Sequence, residues 1–103
     1  MVFDHQNKIA YACKSERTTE RLFKLICEKH YGYTPIFFTA QDNHGNLIYH
    51  TNVMLSVGSN YVIVCLESIR DEEEKERVRS SILQSKGTNG KSKLLIELTM
   101  KQV

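Results

Sequence analysis

The amino-acid sequence predicts an α/β fold made of two consecutive β-β-α-β units, which span residues 1–52 and 53–103. The first observation is that short apolar runs and one helical segment follow each other in the same order in both halves. The second is a shared register, because the turn residues Asn7 and Asn60 are 53 positions apart. The third is a hydrophobic content of 41%, which is typical of a chain with a folded core. The two units are expected to form one partial domain.

The strands of the first unit are predicted from three apolar runs. Residues 1–5 and 9–13 flank Gln6-Asn7-Lys8, a segment with the composition of a hairpin turn. Residues 36–40 follow the only proline of the chain and include an isoleucine and two phenylalanines. We therefore expect the third strand at 36–40, with the proline at its start, where a sheet tolerates it.

The first helix is predicted between the second and third of these strands. Ser15 or Thr18 is expected to be its N-cap, and Gly32 is expected to end it. The apolar residues recur at helical spacing and predict one buried face. That face comprises Leu22, Phe23, Leu25, Ile26 and Cys27.

The second unit repeats this order of strands. The runs 53–57 and 61–66 flank Gly58-Ser59-Asn60. This segment predicts a hairpin turn more strongly than Gln6-Asn7-Lys8 does in the first unit. The run 93–99 is expected to form the closing strand.

The second helix is predicted to begin near Asp71, which lies 53 positions after Thr18. Acidic residues at 72–74 are favourable near the positive end of the helix dipole, and we interpret them as a solvated helix start. Val78, Ile82 and Leu83 are its few apolar residues and predict a narrow buried face.

Composition excludes several classes of function. The net charge of +2, from 14 basic and 12 acidic residues, gives no electrostatic basis for binding nucleic acid. No apolar run approaches the roughly 20 residues of a membrane helix, and no signal-like segment is present. The cysteines Cys13, Cys27 and Cys65 lie in apolar segments without CxxC spacing, as buried cysteines of a reducing compartment do. We expect a cytoplasmic protein with neither nucleic-acid nor membrane partners.

His50 is the strongest candidate for chemistry, because it follows a strand-like run where the two units meet. An imidazole with a pKa of roughly 6.5 exchanges a proton near neutral pH. The alternative is a histidine held by a backbone carbonyl. His5, His30 and His44 are weaker candidates, and the spacing of the histidines matches no zinc site. No metal and no cofactor is expected.

Several segments resemble the guanidino-group-modifying superfamily, which contains arginine deiminases, amidinotransferases and dimethylarginine hydrolases. Residues 49–54 (YHTNVM) and 62–69 (VIVCLESI) are similar to its histidine region, while 1–13 and 15–18 (SERT) are similar to the segment after an acidic motif. Within the superfamily, the resemblance is closest to the citrulline-utilisation, or amidinotransferase-like, hydrolases. It implies the pentein fold, an α/β propeller of five β-β-α-β units.

The resemblance also implies a mechanism. In the superfamily a cysteine attacks the guanidinium carbon, a histidine protonates the leaving amine and then activates water, and carboxylates hold the guanidinium. His50 matches that histidine. Asn52 stands where related deiminases have a substrate-binding aspartate, and it can accept an N–H without supplying charge. Arg17 matches an arginine of the Ser-x-Arg-Thr segment, where it either supports the helix start or contacts substrate.

The same resemblance places the nucleophilic cysteine after Val103 and the acidic residues before Met1. We therefore expect this chain to contain two of the five units and to be inactive alone. We expect it to act on an arginine-like guanidino substrate only when a second polypeptide completes the site. The alternative function is a small α/β interaction module that self-associates through exposed sheet edges.

Overall fold

Two three-stranded sheets of identical topology form the frame of the structure. The computed structural model describes residues 1–15, 19–42, 44–48 and 51–99, without the side chains at 30, 31, 52 and 53. In the first sheet β1 (Val2–Asp4) runs antiparallel to β2 (Ile9–Cys13), and β2 runs parallel to β3 (Thr34–Phe38). The predicted strands are thus present, although β3 ends at Phe38 and not at Ala40.

The second sheet repeats this arrangement. Its strand β4 (Leu55–Val57) is antiparallel to β5 (Tyr61–Val64), and β5 is parallel to β6 (Leu94–Glu97). The predicted α/β fold of two β-β-α-β units is confirmed, while the boundary between residues 52 and 53 stays a prediction.

The start of the second unit differs from the expected strand at 53–57. Residues Thr51–Met54 form a short helix, α2, and only Leu55–Val57 pair as β4. The physical reason is that the Thr51 hydroxyl accepts a hydrogen bond from the backbone N–H of Cys13, which holds this part of the chain against the first sheet. The run 61–66 is also shortened, because Leu66–Ser68 form a 3₁₀ turn.

Helix α1 (Glu20–Ile26) packs on one face of the first sheet and continues into a π-helical turn, Cys27–Tyr31. Its N-cap is Thr19, whose hydroxyl accepts from the backbone N–H of Leu22, so the expectation of Ser15 or Thr18 was wrong. Ser15 precedes the helix, and Thr18 lies outside the described residues. Gly32 ends the π-helical turn at φ +62°, as predicted, in a conformation that suits glycine.

The buried face of α1 is narrower than predicted. Phe23 and Cys27 are buried against Ala10, Ala12 and Phe37 of the first sheet, and Ile26 is half-buried. The side chains of Leu22 and Leu25 are 46% and 44% exposed. Among the described residues, the buried side chains of this helix pack on the first sheet, and a stripe of residues four positions apart is enough to cover that contact.

Helix α3 (Glu72–Gln84) lies between the two sheets and contacts both β3 and β6. Asp71 is its N-cap, as predicted, and its carboxylate accepts from the backbone N–H groups of Glu73 and Glu74. Val78 and Ile82 are fully buried in the main core, whereas Leu83 is 51% exposed and does not belong to the buried face.

A hydrogen bond joins α3 to the first sheet from inside the core. The hydroxyls of Tyr11 and Ser81 are 2.9 Å apart, and Tyr11 is fully buried. Burial raises the pKa of the Tyr11 hydroxyl above its ordinary value of 10.0, and the bond to Ser81 opposes part of that rise. The folded state therefore favours the neutral phenol.

A buried ion pair connects β1 to Lys93, the residue that precedes β6. The Lys93 ammonium lies 3.2 Å from the Asp4 carboxylate, and both side chains are only 1% exposed. Lys93 also donates to the Gly58 carbonyl, and Asp4 accepts from the backbone and side-chain amides of Asn7. Lys93 was expected inside the closing strand, but that strand begins one residue later, at Leu94.

A second connection between the units uses a side-chain amide. Asn7 donates to the Lys86 carbonyl at 2.9 Å and accepts from the Lys86 backbone N–H at 2.9 Å. The amide thereby reproduces the paired hydrogen bonds of an antiparallel strand.

Within the described part of the chain, no helix has the length and apolar character needed to cross a membrane.

Replacing Lys93 is expected to destabilise the fold strongly. Lys93→Met leaves the Asp4 carboxylate buried without its cation, a change that costs about 3 to 5 kcal/mol. Urea unfolding measures the loss in free energy of unfolding. The matched control is Lys91→Met on the same segment, whose exposed side chain should change that free energy by less than about 0.5 kcal/mol. Equal stabilities of the two variants would contradict the role of the pair.

The raised pKa of Tyr11 predicts a pH dependence of stability. The stabilisation is fully present below pH 10 and is lost as the pH rises through the raised pKa, because the unfolded tyrosine ionises first. Tyr11→Phe should be less stable than wild type by about 1 kcal/mol at neutral pH, since Ser81 loses its partner. Above pH 10 the difference should shrink. Urea midpoints measured across this range test the sign, with Tyr61→Phe as the exposed control.

Candidate functional site

The carboxyl end of β2 is the point where the segments carrying the candidate residues approach each other. Cys13, the last residue of β2, donates its backbone N–H to the Thr51 hydroxyl at 3.1 Å. Its thiol donates to the Ile48 carbonyl at 2.9 Å, and the sulfur lies 3.4 Å from the Thr51 hydroxyl oxygen. All three residues are buried. The carboxyl edge of parallel strands is where α/β proteins commonly bind ligands.

The structure does not describe the predicted site residues in full. His50 and Arg17 are outside the described residues, and so is the side chain of Asn52, whose backbone belongs to α2. Their neighbours are described: Thr51 is held at Cys13, and Cys13 precedes Arg17 by four positions. The roles of the three residues stay predictions.

A pocket of about 440 Å³ opens at the same edge of the first sheet. Lys14 and Thr39 line it where β2 and β3 end, and Phe37, Glu74 and Arg77 contribute apolar surface and charge. The Glu74 carboxylate accepts from the Thr39 backbone N–H at 2.7 Å, so this glutamate is not simply part of a solvated helix start. Sequence reasoning missed the contact because the partners are 35 residues apart and share no motif.

A second pocket, of about 450 Å³, lies at the opposite end of the same strands. Ile9 and Thr34, the first residues of β2 and β3, line it together with Ser80 and Gln84 of α3. Its lining is mostly neutral. Arg77 lines both pockets, but only the pocket at the carboxyl edge adds Lys14, Glu20 and Glu74, so that pocket is better suited to a charged ligand.

The cysteines are buried and hold no exposed nucleophile. Cys13, Cys27 and Cys65, the three cysteines of the chain, are at most 2% exposed, and none forms a disulfide. Burial, and to a smaller extent the nearby Glu28, raises the pKa of the Cys27 thiol and disfavours its thiolate. A thiol acts as a nucleophile only as an accessible thiolate. The expectation of buried, structural cysteines agrees with this geometry.

Two of the weaker histidine candidates have ordinary surroundings. The His5 ring nitrogen lies 2.6 Å from the Tyr33 hydroxyl, and the ring stacks on Phe3. His44 is exposed in a loop, where its backbone N–H and that of Asn46 hold the pKa of the Asp42 carboxyl below its usual range. The side chain of His30 is not among those that the structure describes. Within the described residues, no group of three or more histidine, cysteine or acidic side chains could hold a metal ion.

The repeated β-β-α-β unit, together with a family match over the whole chain, places the chain in the guanidino-group-modifying superfamily, whose fold is the pentein. A family model described as N,N dimethylarginine dimethylhydrolase, eukaryotic, matches residues 1–103, and the chain belongs to that family. The predicted superfamily is thereby confirmed, whereas the closer resemblance to citrulline-utilisation hydrolases stays a prediction. A search of curated proteins gives no significant match, and a search of solved structures gives none either.

The burial of the thiols predicts low reactivity. In the folded chain none of the three cysteines should react with Ellman's reagent on the timescale on which the urea-unfolded chain releases three equivalents. The absorbance of the released thiolate measures both rates. Ser59→Cys, which places a cysteine in the exposed turn between β4 and β5, is the positive control. If any thiol of the folded wild-type chain reacted rapidly with the reagent, the assignment of all three cysteines as structural would be contradicted.

Proposed function

We propose that this chain supplies the acid/base part of a hydrolase site for methylated guanidino compounds, and that it does not turn over substrate alone. The observation that carries the proposal is the match of all 103 residues to a family named for the hydrolysis of N,N-dimethylarginine. His50 is the proton carrier, Asn52 contacts the guanidinium, and Arg17 contacts the substrate near the end of β2.

The proposed reaction is hydrolysis of a carbon–nitrogen bond. A thiolate attacks the guanidinium carbon, and the imidazolium of His50 protonates the departing dimethylamine. The neutral imidazole then takes a proton from water, whose oxygen attacks the same carbon and releases the thiolate. His50 thereby regains in the second step the proton that it gave up in the first. The products are the corresponding ureido compound and dimethylammonium, because the dimethylamine takes up the proton that is lost when the ureido carbonyl forms.

The buried cysteines support the second part of the proposal. Cys13 is hydrogen-bonded to Ile48 and Thr51, Cys27 begins the π-helical turn and is buried against the first sheet, and Cys65 is fully buried. Catalytic groups that act as a unit lose most of their rate enhancement when one member is removed. The thiolate must therefore come from another polypeptide segment.

The pocket at the carboxyl edge supports the proposed class of substrate. An amino acid with a guanidino side chain carries both a carboxylate and a cation. The lining of this pocket offers charges of both signs, with Lys14 and Arg77 as cations and Glu20 and Glu74 as carboxylates. Glu74 already accepts from Thr39, which leaves its second carboxylate oxygen for a ligand cation.

Turnover assays test the proposal directly. The isolated chain should release no dimethylamine from N,N-dimethylarginine, and no ammonia from arginine, above the background of His50→Ala. Turnover that depends on His50 would contradict the proposed inactivity of the chain.

Ligand titration tests the proposed site independently of turnover. In ¹H–¹⁵N NMR spectra, N,N-dimethylarginine should shift the backbone resonances of Lys14, Thr39 and Thr51. Arg17→Ala should weaken this response, whereas Arg21→Ala, at an exposed arginine four positions further along the sequence, should not. An unchanged spectrum, or equal effects of both variants, would contradict the substrate assignment.

A further inference from the structure

Cys13 holds both ends of the short segment that carries His50. Its thiol donates to the Ile48 carbonyl at 2.9 Å, two residues before His50. Its backbone N–H donates to the Thr51 hydroxyl at 3.1 Å, one residue after His50. One residue thus provides two anchor points, 35 and 38 positions away in the sequence, with only two residues between them.

The anchors are well protected from water. Ile48 is 8% exposed, Thr51 is 3% exposed and Cys13 is 2% exposed. A buried hydrogen bond is costly to break because water cannot replace the lost partner. Cys13 is itself fixed as the last residue of β2, where it pairs with Phe38 of β3. The anchors therefore share the rigidity of the first sheet.

We propose that Cys13 is a positioning residue for His50, acting through its thiol bond to Ile48 and its amide bond to Thr51. The inference rests on the proposed function of His50 as the proton carrier. Acid/base groups need positions defined to within about 0.5 Å, which rigid supporting contacts provide. In this proposal the bonds to Ile48 and Thr51, which are three positions apart, act on His50 by limiting where the intervening chain can place its imidazole.

The chemistry of the thiol suits this role. A neutral S–H donor satisfies the Ile48 carbonyl without placing a charge beside a proton carrier. It also fills the small buried volume that a cysteine occupies well. Cys13 thus has a function that does not depend on nucleophilicity, in contrast to the attacking cysteine of the reaction.

Side-chain NMR of the histidines tests the proposal in the full 103-residue chain. The chain has four histidines, and His50→Gln identifies the His50 ring signals. Cys13→Ala removes the donor to Ile48 and should shift and broaden the His50 ring signals, while those of His5 and His44 remain in place. Cys13→Ser retains a donor and should restore the wild-type signals. The rate of His50 carbethoxylation by diethylpyrocarbonate should change severalfold in Cys13→Ala and recover in Cys13→Ser.

A second buried cysteine supplies the matched control. Cys27→Ala removes the same group from the smaller core cluster under α1 and should leave the His50 signals unchanged. Unchanged His50 signals in folded Cys13→Ala would overturn the proposal, and so would an equal shift in Cys27→Ala. Because these measurements need no substrate, they separate a failure of the positioning role from a failure of the proposed hydrolase function.

If Cys13→Ala does not fold, the hydrogen bond from the Cys13 thiol to the Ile48 carbonyl can still be tested in the wild-type chain and in Cys13→Ser. The S–H stretching band of a strongly hydrogen-bonded thiol moves to lower frequency. The wild-type infrared spectrum should contain a lowered band that disappears in Cys13→Ser and persists in Cys27→Ala. A wild-type spectrum without that band would overturn the proposal.

Discussion

The ion pair between Asp4 and Lys93 is the interaction on which the rest of the structure depends. It joins a residue of the first strand to a residue beside the last strand, and both side chains are almost fully removed from water. Each charge has further polar partners, since Asp4 accepts from Asn7 and Lys93 donates to Gly58. Those additional bonds compensate the cost of burying two charges, which attraction between the charges alone seldom does. The pair thereby connects the hairpin turns of both units.

This connection determines the surroundings of the candidate site. With the two units held together, α3 lies between the sheets, and its Val78 and Ile82 fill the space beside Tyr11 and Phe38. The strand that carries Tyr11 ends at Cys13, where Ile48 and Thr51 are anchored. The segment on either side of His50 thus depends on a sheet whose other end is fixed by Asp4. A change at the ion pair would therefore alter the site as well as the stability.

The sequence was sufficient for the features that depend on near neighbours. Hairpin composition identified both turns, and the Asp71 cap was recognisable because its partners lie two and three residues away. The buried face of α1 was predicted too wide, since helical spacing does not reveal how much of a helix surface the neighbouring sheet covers. Lys93 resembled an ordinary strand residue because its partner, Asp4, is distant in the sequence.

The candidate site, too, could be predicted only where it depends on residues that are close together in the sequence. The motif around His50 could be recognised locally, and the family match supports the superfamily it indicated. The anchors at Cys13 could not be predicted, because a cysteine in an apolar run has the same pattern whether or not it binds a distant carbonyl. The contact of Glu74 with Thr39 was equally invisible, since a helix-start glutamate is normally solvated.

Strand β6 has a consequence for the behaviour of the chain in solution. It lies at the edge of its sheet and exposes Leu94 and Ile96 on one face, an arrangement that favours pairing with another strand. Glu97 ends this strand with a carboxylate that is 53% exposed and 3.7 Å from Arg79. Because side chains alternate along a strand, Glu97 lies on the face opposite to Leu94 and Ile96. A strand that paired with this edge would therefore meet apolar side chains on one face of the sheet and a charged pair on the other.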